Sequence, residues 1–212
     1  YFIFYLNNNI ILLYIMYTIL VTGGSGMVGS SLKELVKNDT INKWIFLSSK
    51  DGDLRVKESV LNIFEKYKPD YVIHLAANVG GLYKNMRCQT SMFSDNIKMN
   101  ENILEMCNNF NVQKGIFCLS SCIFPHKPSI FPMNENMLHE SEPHPSNEGY
   151  AYAKRMMEIQ CKNYNLRYNR QYICLIPPNV YGPNDNYNLE NSHVIPGLIH
   201  RMYIAKMENK DF

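Results

Sequence analysis

Short runs of apolar and β-branched residues alternate along the chain with longer stretches in which apolar positions recur every three or four residues. The runs Thr18–Thr22, Trp44–Leu47, Tyr71–Leu75, Gly115–Leu119 and Gln171–Ile176 predict strands. Met27–Lys37, with Val28, Leu32, Leu35 and Val36 on one face, predicts a helix, as do Val56–Tyr67, Met92–Asn109 and Tyr150–Tyr168. Strands separated by helix-length segments must lie parallel, so the pattern predicts an α/β fold with a doubly wound sheet covered by helices on both faces. From Pro177 the alternation stops. A Pro-, Gly- and Asn-rich stretch leads to an apolar helical segment, Ile195–Ala205. This division sets a main domain over 17–178 and the start of a smaller, incomplete one over 179–212.

The amino end fits neither domain. Ile10–Val21 is apolar, but 12 residues fall short of the roughly 20 that cross a bilayer. Tyr1–Met16 carries no Lys or Arg to open a signal peptide. The expectation is therefore no membrane anchor, translation from Met16, and a segment 1–16 that is either an artefact or an unstructured extension.

Length and charge then narrow the partner. A chain of 212 residues holds one doubly wound domain without disulfide or metal support. Its net charge of +2 is spread without a basic run, which leaves no electrostatic footprint for nucleic acid. The six cysteines form no C-x-x-C pair and share no metal-ligand spacing with the six histidines, which points to a reducing, cytoplasmic setting and no metal site. A small molecule is the expected partner.

Its chemistry is first legible at Gly24-x-Gly26-x-x-Gly29, directly after the first strand and opening the first helix, with Gly23 before it. Glycines let the backbone approach a pyrophosphate, and the free N–H groups and dipole of the helix start favour its charge. That is the nucleotide signature of the Rossmann fold. At the end of the second strand an acidic residue would hold an NAD ribose, but Ser48, Ser49 and Lys50 stand there. Hydroxyls and a cation suit a 2′-phosphate, so NADP is the expected cofactor. Lys50 could equally be a solvated lysine. Asp53 and Leu54 follow at a distance suited to the adenine.

Tyr150 and Lys154 are four apart in a predicted helix and share a face. A phenol titrates near 10 unless a neighbouring ammonium lowers it. A Tyr tuned in this way could protonate a carbonyl oxygen. Y-x-x-x-K alone mostly marks a surface helix. Ser120, about 30 residues earlier at a strand end, adds a second donor to the same oxygen and makes the set specific.

With these residues the chain resembles the extended short-chain dehydrogenase/reductase family, and within it the branch that epimerises and reduces a GDP-4-keto-6-deoxy sugar. The resemblance is carried by YTILVTGGSGMVGSSL, WIFLSSKDGDL, VIHLAANVGGLYKN, CLSSCIFP, GYAYAKRM, PPNVYGPNDN and NSHVIPGLIHR, from Thr18 to about Lys206. It implies reductase roles for Ser120, Tyr150 and Lys154. It also implies that Cys122 and His193 move protons at C3 and C5 of the sugar, after which NADPH reduces C4. Taken singly, Cys122 would read as a packing residue and His193 as a loop residue. Hydrogens beside a C4 ketone are acidic when donors stabilise the enolate oxygen, so one donor pair could serve both steps.

The cofactor site implied by pattern and resemblance together comprises Gly23, Gly24, Ser25, Gly26, Met27, Val28, Gly29, Lys50, Asp53, Leu54, Leu75, Ala76, Ala77, Cys118, Leu119, Ser120, Ser121, Lys154, Pro177, Pro178, Asn179, Val180 and His193. Arg201 matches a basic residue that holds substrate phosphate. Pro178 departs from the hydroxylic residue usual in the family and removes a polar contact. The family pattern continues into a distal segment that grips the GDP-sugar and is absent from these 212 residues, so weak sugar-nucleotide binding is expected. A homodimer through Met92–Asn109 and Tyr150–Tyr168 is a further implication of the resemblance. Competing readings are a 4-epimerase, which needs neither Cys122 nor His193, a 4,6-dehydratase, which would carry Thr-Asp-Glu where Ser120, Ser121 and Cys122 stand, and a nucleotide-binding module without turnover.

Overall fold

A computed structural model describes the backbone over 2–6, 9–13 and 15–210, and side chains from residue 15 to residue 210. Two strands, β1 (Phe2–Leu6) and β2 (Asn9–Leu13), pair antiparallel in a sheet of their own. This differs from the unstructured extension expected there; the side chains of 1–14 lie outside the described residues.

The main sheet has five parallel strands in the order β4-β3-β5-β6-β7. They are β3 (Thr18–Thr22), β4 (Lys43–Phe46), β5 (Tyr71–His74), β6 (Lys114–Cys118) and β7 (Gln171–Leu175). The helices are α1 (Met27–Leu35), α2 (Lys57–Tyr67), α3 (Leu82–Arg87), α4 (Gln89–Asn109), α5 (Glu148–Tyr168) and α6 (Val194–Met207). The chain leaves β3 toward β4 on one side and later returns to β5 on the other. That reversal opens a crevice at the carboxyl ends of the strands, where doubly wound sheets bind ligands. Among the described residues no helix is long and apolar enough to cross a membrane.

Leu20, Val60, Phe64, Ile103, Leu104, Phe117 and Met157 form the buried centre where the sheet meets α2, α4 and α5. The stripe expected on α1 contributes little. Leu35 is 81% exposed and Val28 44%, while the buried residue of that helix is Gly29. A Cβ at Gly29 would press into Gly23 O and the Gly24 backbone, so the helix seats by backbone approach and not by side-chain packing. The pattern also misses α3, whose six residues are too few for a helical period to show.

A polar column runs through this centre. Thr22 Oγ1 accepts from Ala76 N–H at 3.2 Å and lies 2.7 Å from His74 Nδ1. His74 Nε2 lies 3.1 Å from Asn100 Oδ1, and Asn100 Nδ2 donates to Ala153 O at 3.4 Å. One assignment satisfies every group: the Thr22 hydroxyl donates to Nδ1, and Nε2–H donates to Asn100. The column joins β3, β5, α4 and α5, and it holds the imidazole neutral.

Burial lowers the His74 pKa from 6.5 to about 3, with the Lys154 charge adding to the effect. The unfolded chain takes up this proton below about pH 6.5 and the folded chain does not, so the stability it confers is full above that pH and is lost as pH falls toward 3. Urea unfolding at pH 7.5 and pH 5 is expected to differ by about 2 kcal/mol from this group alone. The difference should shrink by that amount in His74→Gln.

Candidate active site

At the end of β3 the chain turns through Gly23, whose φ of +67° falls in the left-handed region. A Cβ there would sit 2.8 Å from Ala76 N, so no other residue fits without moving the backbone after β5. Gly24 N–H donates to Leu47 O at 2.7 Å and Gly26 N–H to Gly23 O at 3.0 Å, which fixes the turn against β4. Helix α1 then starts with no side-chain cap on Gly26 and no acidic residue in its first turn. Its first N–H groups therefore lack an internal partner and a competing carboxylate, which is what a diphosphate requires.

The turn forms one wall of a cavity of about 1180 Å³, larger than the 300–1,000 Å³ typical of small-molecule sites. Gly23, Ser25, Gly26, Met27, Val28 and Gly29 line this end, with Leu75, Ala76 and Ala77 facing them. Asp53 and Leu54 line the β4 side; Cys118, Leu119 and Ser120 line the middle; Pro177, Pro178, Asn179, Val180 and His193 close the far side. Gly24 is buried against Phe46 beneath the turn.

Lys50 is not on this wall. Asp51 folds back so that Ser48 N–H and Oγ–H both donate to Asp51 Oδ2 at 2.8 Å, and Lys50 stands exposed at the tip of the resulting turn. The cation on the wall is Arg55. Its guanidinium donates to Asp53 at 2.8 Å and to Asp95 Oδ1 at 3.4 Å, and Asp95 Oδ2 in turn accepts from Asn78 Nδ2 at 3.0 Å. The Arg55 hydrogen bonds hold Asp53 down at about 2. Sequence reasoning missed Arg55, Asp95 and Asn78. Arg55 and Asp95 stand 40 residues apart, and neither lies in a recurring spacing that would single it out.

Ser120 caps the short 3-10 turn Ser121–Ile123, its Oγ accepting Cys122 N–H at 3.4 Å. The cavity reaches Ser120, Tyr150 and His193, so three of the five proposed catalytic groups share one space. Tyr150 is brought there by the third residue of α5, and His193 by its place as N-cap of α6. The other two lie behind the surface. Lys154 is fully buried, donates to Cys118 O at 2.6 Å, and lies 5.7 Å from the Tyr150 ring centroid. Cys122 and Ser121 are half-buried next to Ser120, off the wall. Arg201 is exposed on α6, away from the lining.

Burial decides the electrostatics. It pushes the Tyr150 phenol well above 10, with the Cys122 and Cys118 thiols adding to the rise, and it pushes the Lys154 ammonium down. The expected lowering of Tyr150 by Lys154 is therefore not found: loss of water is the largest effect on the phenol, and the Lys154 amine makes its shortest contact with the Cys118 carbonyl. At neutral pH the phenol keeps its proton, which is the form that donates to a carbonyl oxygen. Burial also raises the Cys122 thiol, while the Ser120 hydrogen bond pulls it down.

Residues 19–210 match the model of the NAD dependent epimerase/dehydratase family. Over 196 residues the chain is 52% identical to GDP-L-fucose synthase of Dictyostelium discoideum, covering 92% of this chain and 61% of that one. It is 44% identical to the probable GDP-L-fucose synthase of Drosophila melanogaster, again over 61% of that protein. The chain thus spans about three fifths of the length of the curated relatives it matches. Among solved structures it superimposes on a GDP-L-fucose synthetase of Naegleria fowleri bound to NADP with a TM-score of 0.86 at 47% identity, over 95% of this chain and 66% of that one.

The turn supplies a direct check of this geometry. Gly23→Ala places a Cβ at positive φ against backbone, and is expected to lower the unfolding free energy by roughly 1–3 kcal/mol in urea.

Proposed function

The chain belongs to the NAD dependent epimerase/dehydratase family, and we propose that its cavity binds NADPH and a GDP-4-keto-6-deoxymannose, inverts C3 and C5, and reduces C4 to give GDP-L-fucose. The observation that carries this reading is the single cavity, with an uncapped helix start and glycine turn at one end and Ser120, Tyr150 and His193 at the other. The likeness to GDP-L-fucose synthases supports the choice of substrate and cofactor.

The residues fit the cofactor by backbone. The turn from Gly23 to Gly29 and the first N–H groups of α1 would hold the diphosphate, Asp53 and Leu54 would border the adenine, and Pro177–Val180 would border the nicotinamide. Bound NADPH supplies the hydride that reduces C4. Ser120 and Tyr150 hold the C4 oxygen by hydrogen bonds. Both stabilise the negative charge that develops there when a neighbouring C–H is ionised, and Tyr150 then gives its proton to the same oxygen during reduction. Lys154, hydrogen-bonded to the Cys118 carbonyl under the phenol, favours loss of that proton once charge builds. On this reading the protons at C3 and C5 are taken and returned by His193, on the cavity wall, and by Cys122, which stands beside Ser120 just behind that wall. A 4-epimerase would leave these two groups without a task.

Two settings belong to this reading. Six free thiols suit a reducing, cytoplasmic location. Phe93 on α4 and Ile159 and Leu166 on α5 leave apolar surface on the two helices expected to pair in a homodimer. Light scattering of the purified chain tests the latter.

Incubating the chain with NADPH and GDP-4-keto-6-deoxymannose is expected to consume cofactor and form GDP-L-fucose. NADPH binding without oxidation would instead favour a nucleotide-binding module. Tyr150→Phe should cut kcat by about 10²–10⁴-fold, and Cys122→Ser should slow deuterium uptake beside the ketone; unchanged uptake would remove Cys122 from the mechanism. Comparing NADPH with NADH binding in Lys50→Ala and Arg55→Ala tests which cation faces the 2′-phosphate. Arg55→Ala is expected to lower the preference for NADPH about tenfold, in line with loss of one charge-assisted contact.

A further inference from the structure

Two groups given roles at the sugar, His193 at a carbon beside the ketone and Tyr150 at the C4 oxygen, come from separate stretches of chain: a loop before α6 and the start of α5. A third segment, Gly81–Gln89, touches both. It contains α3, lies outside the groups assigned to the reaction, and has no expected role from its sequence.

Its first end holds the His193 loop. Gly81 N–H donates to Asn191 O at 3.0 Å, and Arg87 Nη2 donates to Asn191 Oδ1 at 3.3 Å. Gly81 has φ −67° and ψ 179°, a conformation open to any residue. Space alone requires glycine here, because a Cβ would collide with the carbonyl of Ser192, the residue before His193. The buried Asn85 stiffens this end by donating to Gly80 O at 2.7 Å and Gly81 O at 3.2 Å.

Its other end holds the approach to Tyr150. Gln89 Oε1 accepts Gly149 N–H at 2.9 Å, and Gln89 Nε2 donates to Pro145 O at 2.8 Å. A Cβ at Gly149 would collide with the Gln89 carbonyl, so this contact too is made at backbone distance. Between the two ends the chain is helical, and Cys88 N–H donates to Lys84 O at 2.9 Å to carry α3 up to α4. Two backbone contacts with no room to spare, on opposite ends of one short rigid segment, allow few relative positions for what they hold.

We propose that Gly81–Gln89 is a brace that sets the gap between His193 and Tyr150, with Gly81, Arg87 and Gln89 as positioning residues for proton transfer at the sugar. The proposal rests on the reading of His193 and Tyr150 given above. Gly81, Arg87 and Gln89 bond the segments that carry His193 and Tyr150, whereas Lys84 of the same segment bonds Asn78 and Val79 on the cavity wall. Changing the first three, which do not touch the glycine turn, should therefore affect proton transfer more than cofactor binding.

The test uses the full chain with GDP-4-keto-6-deoxymannose in D₂O, with deuterium at C3 and C5 followed by mass spectrometry and NADPH affinity by fluorescence. Gly81→Ala is expected to slow exchange tenfold or more, and Arg87→Ala, which removes a hydrogen bond without a clash, several-fold. Both should keep the NADPH Kd within about twofold. Gln89→Ala should lower kcat for NADPH oxidation, and Gln89→Glu, which keeps the acceptor for Gly149 N–H, should recover part of it. The His193 ring resonances, assigned by their loss in His193→Asn, should shift in Gly81→Ala and Arg87→Ala and stay in place in Gln89→Ala, whether or not the chain turns over. Unchanged exchange and unchanged His193 resonances would overturn the brace, as would a loss of exchange matched by an equal loss of NADPH affinity. A wild-type chain that shows no exchange would overturn the underlying reading of the site, while the resonances still decide the brace.

Discussion

Where β3 ends, the backbone of Gly23 lies against the backbone of Ala76 with no space for a side chain, and the rest of the site is arranged around that contact. It places the start of α1 over the switch point of the sheet, with the first N–H groups of the helix turned to the cavity. It also brings the segment after β5 within reach of Thr22, whose hydroxyl accepts Ala76 N–H and begins the column through His74 and Asn100 to Ala153. The glycine turn and the helix that carries Tyr150 and Lys154 are thus joined through buried polar groups. Each of those groups is costly to leave unpaired, which makes the arrangement rigid.

Burial then shifts the titration of Tyr150, Lys154 and Cys122. In water a Tyr and a Lys four residues apart on a helix would each titrate near its ordinary value. Here both lose solvent, which raises the phenol and lowers the ammonium, and the Lys154 amine turns to the Cys118 carbonyl, so the phenol remains a protonated donor. The same loss of water raises the Cys122 thiol, and the Ser120 hydrogen bond, with the Lys154 and Arg155 charges, opposes it. Under the proposed function, donors that keep their protons until charge develops would serve both an enolate and the protonation of its oxygen.

Spacing between the groups is a separate problem from their chemistry. His193 and Tyr150 are supplied by segments that never pair in the sheet, and neither sits on a strand. Gly81, Arg87 and Gln89 connect those segments through backbone-level contacts that tolerate no larger residue at Gly81 or Gly149. On this view the two glycines are required by what lies opposite them, whereas Gly23 is required by its own dihedral angle as well.

The periodicity of apolar residues by itself determined the five strands of the main sheet, the long helices and the parallel architecture, because a strand or a long helix writes a repeat of 2 or 3.6 into the chain. The glycine turn could be picked out because its spacing is local, and Tyr150 and Lys154 because four residues on a helix share a face; Ser120, about 30 residues earlier at a strand end, is what singled that pair out from an ordinary surface helix. Tertiary structure alone decided the rest. That Arg55 faces the cavity while Lys50 does not follows from Asp51 folding back on Ser48, a contact without a periodic signal. That Tyr150 is raised and not lowered follows from burial, which no spacing of Tyr and Lys reports. That α1 seats by Gly29 with Leu35 exposed, and that α3 exists and spans two parts of the site, depends on contacts between residues tens of positions apart, and contacts of that kind leave no pattern in a linear chain.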